Sequence, residues 1–124
     1  MKVAVPSTGK DLNAPVDPRF GRSPYIVVVD TETMDAEGLE NPGALAGTGA
    51  GIAAAQLASD ADADAVICSV IGPHAYHALN EGQLKAYASS TGTVRDVIER
   101  FKAGELELLE EPNTSADAGK KRKG

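Results

Sequence analysis

The run Tyr25–Asp30, YIVVVD, constrains this chain more than any other stretch. Four consecutive apolar residues without polar alternation describe a strand buried on both faces. A second apolar run, AVICSV at Ala65–Val70, reads as another short strand of the same kind.

The segments around these runs set the architecture. Lys2–Val5 alternates as a first strand and is expected to stop at Pro6. Ser7–Pro24 is a shaped loop whose path is fixed by Pro15, Pro18, Pro24 and Gly21. Ala36–Glu40 is a weak third extended segment before the turn Asn41-Pro42-Gly43. Glycines give way to alanines in GTGAGIAAAQLAS, which predicts a helix from near Gly49 to about Ser59. Asp60–Asp64 ends it, since carboxylates oppose the negative end of the dipole. Gly72-Pro73 opens a second helix through about Glu81, and Leu84–Ala88 is a short strand. Thr93–Lys102 is the clearest helix, with Val94, Val97, Ile98 and Phe101 at i, i+3, i+4, i+7 and a capping box from Thr93 to Asp96. Gly104 ends it, and ELELLEEP supplies a last extended piece. The order β-β-β-α-β-α-β-α predicts a mixed five-stranded sheet with helices on its faces. Its first three strands form an antiparallel meander, and the later strands lie parallel through right-handed crossovers.

Composition narrows the function classes. The 124 residues, 42% apolar, suit one globular domain over 1–112, followed by a disordered basic tail at 113–124. No run of about 18 apolar residues and no leader-like stretch occurs, so a soluble cytoplasmic protein without a membrane role is expected. Cys68 is the single cysteine, which excludes an internal disulfide. Residues 1–112 hold 8 Lys and Arg against 17 Asp and Glu, a net −9, while Lys120, Lys121, Arg122 and Lys123 cluster at the end. An acidic body argues against nucleic acid as a partner, because phosphate backbones need a basic face.

The topology also predicts a site. The Ser7–Pro24 loop and three helix starts, at Gly47–Gly51, Gly72–Pro73 and Ser90–Thr93, fall at one edge of the sheet. Helix starts carry unpaired amides and about half a positive charge each, and the carboxyl edge of a largely parallel sheet is where open α/β folds bind ligands. With Arg19 and Arg22, this edge is a cationic mouth for something anionic. Its candidate contacts are Ser7, Arg19, Phe20, Gly21, Arg22, Gly49, Gly51, Gly72, His74, Thr91, Gly92 and Thr93.

Other motifs carry less. Gly49–Ala54 matches G-x-G-x-x-A, but a turn precedes it and no acidic strand end follows at the right offset, against a dinucleotide loop. No Gly-Lys-Ser/Thr occurs, which excludes a Walker-type ATPase. Asp60, Asp62 and Asp64 imitate a calcium loop, yet Ala65 stands where Gly is required and Ile71 where a bidentate Glu should sit. His74 and His77 share adjoining parts of a helix face, and Cys68 lies six residues before His74, so these three are the candidate metal ligands. Their ordinary alternatives are surface histidines and a buried structural thiol. No nucleophile–base pair or sheet-edge carboxylate cluster supports a hydrolase or nuclease, so no catalysis is expected.

MKVAVPSTGKDLNAPVDPRFGRSPYIVVVD, ENP at 40–42, GAGIAAAQ at 49–56, VIGPHAYHAL at 70–79 and TGTVRDVIERFKAGEL at 91–106 together resemble the dinitrogenase iron-molybdenum cofactor biosynthesis family, the NifX-like and NifB C-terminal-like domains. The resemblance spans residues 1 to about 113 and implies a three-layer ribonuclease-H-like fold. It also implies a non-catalytic protein that binds or carries an iron-sulfur or iron-molybdenum cofactor or precursor, an accessory to nitrogen fixation whose partner is a cofactor-biosynthesis protein. Two positions depart from the family's pattern: Arg19 stands where members often place His before Phe-Gly, and His74 stands near a common Asn. Arginine does not ligate iron, which leaves electrostatic holding at that position. A reading from another class is a regulatory module whose mouth receives an acidic peptide or small phosphorylated ligand, without metal.

Overall fold

The chain alternates strands and helices as β1 (Lys2–Ser7), β2 (Tyr25–Asp30), β3 (Ala36–Glu40), α1 (Ala50–Asp60), β4 (Ala65–Cys68), α2 (Pro73–Glu81), β5 (Lys85–Ala88), α3 (Val94–Lys102) and β6 (Leu108–Leu109). This computed structural model describes residues 1–45, 49–88 and 91–112. The expected tail at 113–124 with its lysines, and the positions Gly47 and Ser90, lie outside the described residues.

The strands form one mixed sheet in the order β3-β2-β1-β4-β5-β6. β1 pairs antiparallel with β2 and parallel with β4, and β4 pairs parallel with β5. Side-chain parity then divides the interior. Val3, Val5, Val27, Val29, Ala65 and Ile67 point to one face and pack with Val94, Val97 and Ile98 of α3. Ala4, Ile26, Val28, Val66 and Cys68 point to the other, where Ala54, Ala55 and Ala58 of α1 and Ala75 and Leu79 of α2 cover them. YIVVVD is therefore buried on both faces because helices lie on both, as its unbroken apolar run requires.

Two expectations need correction. The sheet has six strands where five were expected, because Leu108–Leu109 adds an antiparallel edge to β5, with Ala86 opposite Leu109 and Tyr87 opposite Leu108. The Tyr76 hydroxyl holds that edge by donating to the Leu109 carbonyl at 3.1 Å. Three leucines among the four glutamates of 105–111 give too short an alternation for periodicity to single out. β1 also continues past Pro6 to Ser7. Its register with β4 ends at Ala4, and beyond it Pro6 supplies only its carbonyl, to the Asp17 amide at 2.9 Å. A residue without an amide proton fits where only an acceptor is used.

Candidate functional site

The three helices all follow strands that run parallel with β1, so their N-termini share one edge of the sheet. They lie on opposite faces, however, and this separates them chemically. Among the described helices, α1 and α2 are neighbours on one face and α3 lies on the other.

The 8–24 loop arches across this edge and is stitched to each part of it. Ser7, fully buried, donates its hydroxyl to the Gly9 carbonyl at 2.9 Å and accepts from the Gly9 amide at 3.1 Å, so it shapes the loop's first turn. The Val16 amide donates to the Gly92 carbonyl, the Val94 amide to Ala14 and the Arg95 amide to Leu12, all at 2.9 Å. Further on, Arg19 bridges in parallel to Val70. Phe20 is buried against the α1/α2 face as the loop's hydrophobic anchor. Gly21 sits on the start of α1, where an added Cβ would lie 2.7 Å from the Gly51 nitrogen.

These stitches decide what each helix start can offer. At α3, the Val94 and Arg95 amides are taken by the loop, and Thr93 accepts from the Asp96 amide at 3.1 Å while its own amide donates to the Asp96 carboxylate at 3.0 Å. The bond from the Thr93 amide, and after it one from the Thr93 side chain to the same carboxylate, hold Asp96 below the usual carboxylate range. Thr91, Gly92 and Thr93 thus stand beside a helix start whose amides are occupied from within.

The starts of α1 and α2 are built differently. Their caps, Gly49 and Gly72, have no side chain to accept from the first turn, and Pro73 follows at the first position of α2. Gly49 takes φ 74°, a left-handed conformation that glycine adopts without steric penalty. First-turn amides have no partner inside their own helix. They border an open cleft of ≈ 540 Å³ lined by Arg22, Gly49, Gly51, Gly72, Pro73 and His74, with Ala50, Ile52 and Ala75. Of the expected contacts, Arg22, Gly49, Gly51, Gly72 and His74 thus meet in one cleft, with Gly21 directly behind it.

Arg19 has another occupation. Its Nε donates to Asp17 Oδ1 at 3.0 Å and its Nη2 to Oδ2 at 2.8 Å, and its amide donates to Oδ1 at 2.8 Å. The Asp17 side chain is 3% exposed, the Arg19 side chain 63%. Hydrogen bonding from the Arg19 side chain holds Asp17 below the ordinary aspartate range. Much of the guanidinium's charge is therefore matched locally by a carboxylate, and Arg22 is the arginine that borders the cleft.

The candidate metal ligands separate as well. Cys68 packs in the core of the α1/α2 face, and burial pushes its thiol up to about 12. His77 lies on the surface with Nε2 3.2 Å from Glu81 Oε2, one turn on. His74 alone of the three lines the cleft. Among the described residues, no group of three or more His, Cys, Asp and Glu is placed to hold a metal ion. The described residues that line the cleft thus include one imidazole and do not form a ligand cage.

The buried polar residues Asp17, Ser23 and Asn41 escaped the sequence reading. Asp17 carried a signal, since Asx residues commonly accept from the amide two positions on and here the following Pro18 favours a turn. Asn41 donates from Nδ2 to the Gly21 carbonyl at 3.1 Å and to the Ser23 carbonyl at 2.8 Å, and accepts from the Gly43 amide at 3.0 Å. Its place in Asn-Pro-Gly reads as a turn, and nothing local shows that it grips a segment about 20 residues earlier.

Known proteins share this overall fold. The apo form of the orange protein from Desulfovibrio gigas superposes with a TM-score of 0.87 at 36% identity, covering 91% of this chain and 96% of that one. A Thermotoga protein assigned as NifB gives 0.78 at 34% identity, covering 99% and 98%. An uncharacterized protein of Methanocaldococcus jannaschii is 29% identical over 113 residues, which span 89% of this chain and 92% of that protein. No helix among the described residues is long and apolar enough to cross a membrane. The profile described as dinitrogenase iron-molybdenum cofactor matches residues 1–104, and the chain belongs to that family.

Proposed function

We propose that this protein is a non-catalytic carrier that holds an anionic metal cofactor, of iron-sulfur or iron-molybdenum type or a precursor of either, in the cleft between the starts of α1 and α2. The observation that supports this reading is the convergence of two glycine-capped helix starts with Arg22 and His74 on one cleft of ≈ 540 Å³. Two parallel dipoles without side-chain caps attract an anion without demanding a particular ligand geometry. Glycines at 49 and 72 let a bulky sulfide surface approach the backbone, and His74 offers one exchangeable nitrogen. Weak multipoint holding suits a carrier, which must release its cargo to a cofactor-biosynthesis protein. Residues 1–112 are read as the carrying domain, and the order of the first five strands, 3-2-1-4-5, supports a ribonuclease-H-like fold.

Anaerobic titration with tetrathiomolybdate, a molybdenum-sulfide dianion, tests the reading. The expected result is a shifted visible spectrum, molybdenum retained after desalting, and about tenfold weaker retention in Arg22→Ala, of the size expected for one charge-assisted hydrogen bond. No spectral change and no retained molybdenum would sink it. The absence of a three-ligand set among the described residues equally suits a phosphorylated ligand or acidic peptide. Displacement of the probe by inorganic phosphate at micromolar concentration would favour that second reading.

A further inference from the structure

We propose that Asp17 is the positioning residue of the cleft: by gripping Arg19 through three hydrogen bonds it fixes the 19–23 turn, so that Gly21 seats on Gly51 and Arg22 borders the cleft. The inference rests on the carrier reading for its binding arm, but its structural arm is independent of any ligand.

The chain on either side shows why the grip matters. Up to Asp17 the loop is anchored by its own backbone, through Val16 to Gly92 and through Asp17 to Pro6. After Pro18 the backbone must turn toward α1. That turn is centred on Arg19, whose carbonyl accepts from the Arg22 amide at 3.1 Å and the Ser23 amide at 2.9 Å. Arg19 also meets Val70, in the segment that leads from β4 to Gly72. The buried Asp17 carboxylate thus ties the turn to the sheet edge at one point, and Asn41 ties its far end through the Gly21 and Ser23 carbonyls. A buried carboxylate held by three donors is a stiff joint, because letting go leaves a charge unpaired away from water. A planar guanidinium suits this task better than a lysine, since its fork fixes direction as well as distance.

This assignment opposes the simpler idea that Arg19 contacts the anion. If Arg19 were a contact, Asp17→Asn would release its charge and tighten anion binding. If Asp17 positions the wall, Asp17→Asn weakens binding although it makes the chain less acidic by one charge.

The test uses the full chain with Asp17→Asn, Arg19→Ala, Arg19→Lys and the double variant Asp17→Asn/Arg19→Ala. Amide hydrogen exchange is read first, without ligand. Ser23 and Arg22 are expected to exchange at least tenfold faster in Asp17→Asn and Arg19→Ala, while Val97 and Ile98 of α3 keep the wild-type rate and show that the fold holds. Arg19→Lys, which keeps the charge and loses the fork, should fall between. Tetrathiomolybdate titration is read second. Asp17→Asn and Arg19→Ala should each bind at least fivefold more weakly, the double no worse than either, and the salt dependence should stay that of wild type. Unchanged exchange at Ser23, or tighter binding by Asp17→Asn, overturns the proposal. If wild-type protein does not bind the probe, the carrier reading fails, and the exchange rates alone decide for or against Asp17.

Discussion

The starts of α1 and α2 and the start of α3 occupy the same edge of the sheet and carry the same backbone partial charge, yet they are finished in opposite ways. α3 begins with a capping box and two loop carbonyls that absorb its first amides. α1 and α2 begin with glycines that absorb nothing. A helix dipole is a property of every helix, whereas the room for an anion depends on what is left uncapped. Here the capping follows the faces of the sheet. The described helix on one face is sealed for stability, and the pair that shares the other is left open around a cleft.

The largest effect that would sharpen this contrast is expected from Gly51→Val. An added Cβ there would lie 2.6 Å from the Ala75 Cβ, so α1 and α2 must part. Overpacking of this kind costs about 2 kcal/mol and should appear as a lower urea midpoint together with lost tetrathiomolybdate binding. Thr93→Ala comes next. It removes the cap of α3 and should cost about 1 kcal/mol in the same unfolding experiment, with probe binding unchanged. Equal binding losses in the two variants would break the comparison. Acid offers a third route. Asp17 is held below its ordinary range in the folded chain, so it contributes stability above the unfolded aspartate pKa, and that contribution fades as pH falls through the folded value. The stability difference between wild type and Asp17→Asn should therefore be full near neutrality and shrink from about pH 4 downward, measured by urea unfolding across that range. The smallest effects lie outside both regions. His77→Ala should change stability by less than about 0.5 kcal/mol, because its pair with Glu81 is exposed on both sides. Cys68 in the folded protein should resist iodoacetamide at mildly alkaline pH, since burial pushes its thiol up to about 12.

Much of the fold was legible because its signals are local. YIVVVD and its neighbours announced a doubly covered sheet, and Thr93 with Asp96 announced the start of α3. β6 was not legible as a sheet strand, since two leucines owe their pairing to β5 and Tyr76 more than to any pattern of their own. The edge carrying the loop and the helix starts followed from strand order alone. Which face each helix took did not, because parity assigns Val3 and Val5 to one side and Ala4 to the other without saying which helix goes where. That unknown is what separated Gly49, Gly51 and Gly72 from Thr91, Gly92 and Thr93. Arg19 looked like a ligand-facing charge for a similar reason. Its partner stands two residues away, but whether a nearby aspartate is buried, and so demands that arginine, depends on the finished loop.

Gly51 touches Ala75 from one side and Gly21 from the other, so a single missing methyl sets how far apart two helices stand. The aperture of the cleft is thereby gauged from its hinge line instead of from the groups that face a guest. A lineage of such chains can retune the size of what it admits by exchanging small residues at this junction, while the surface that meets the guest keeps its chemistry.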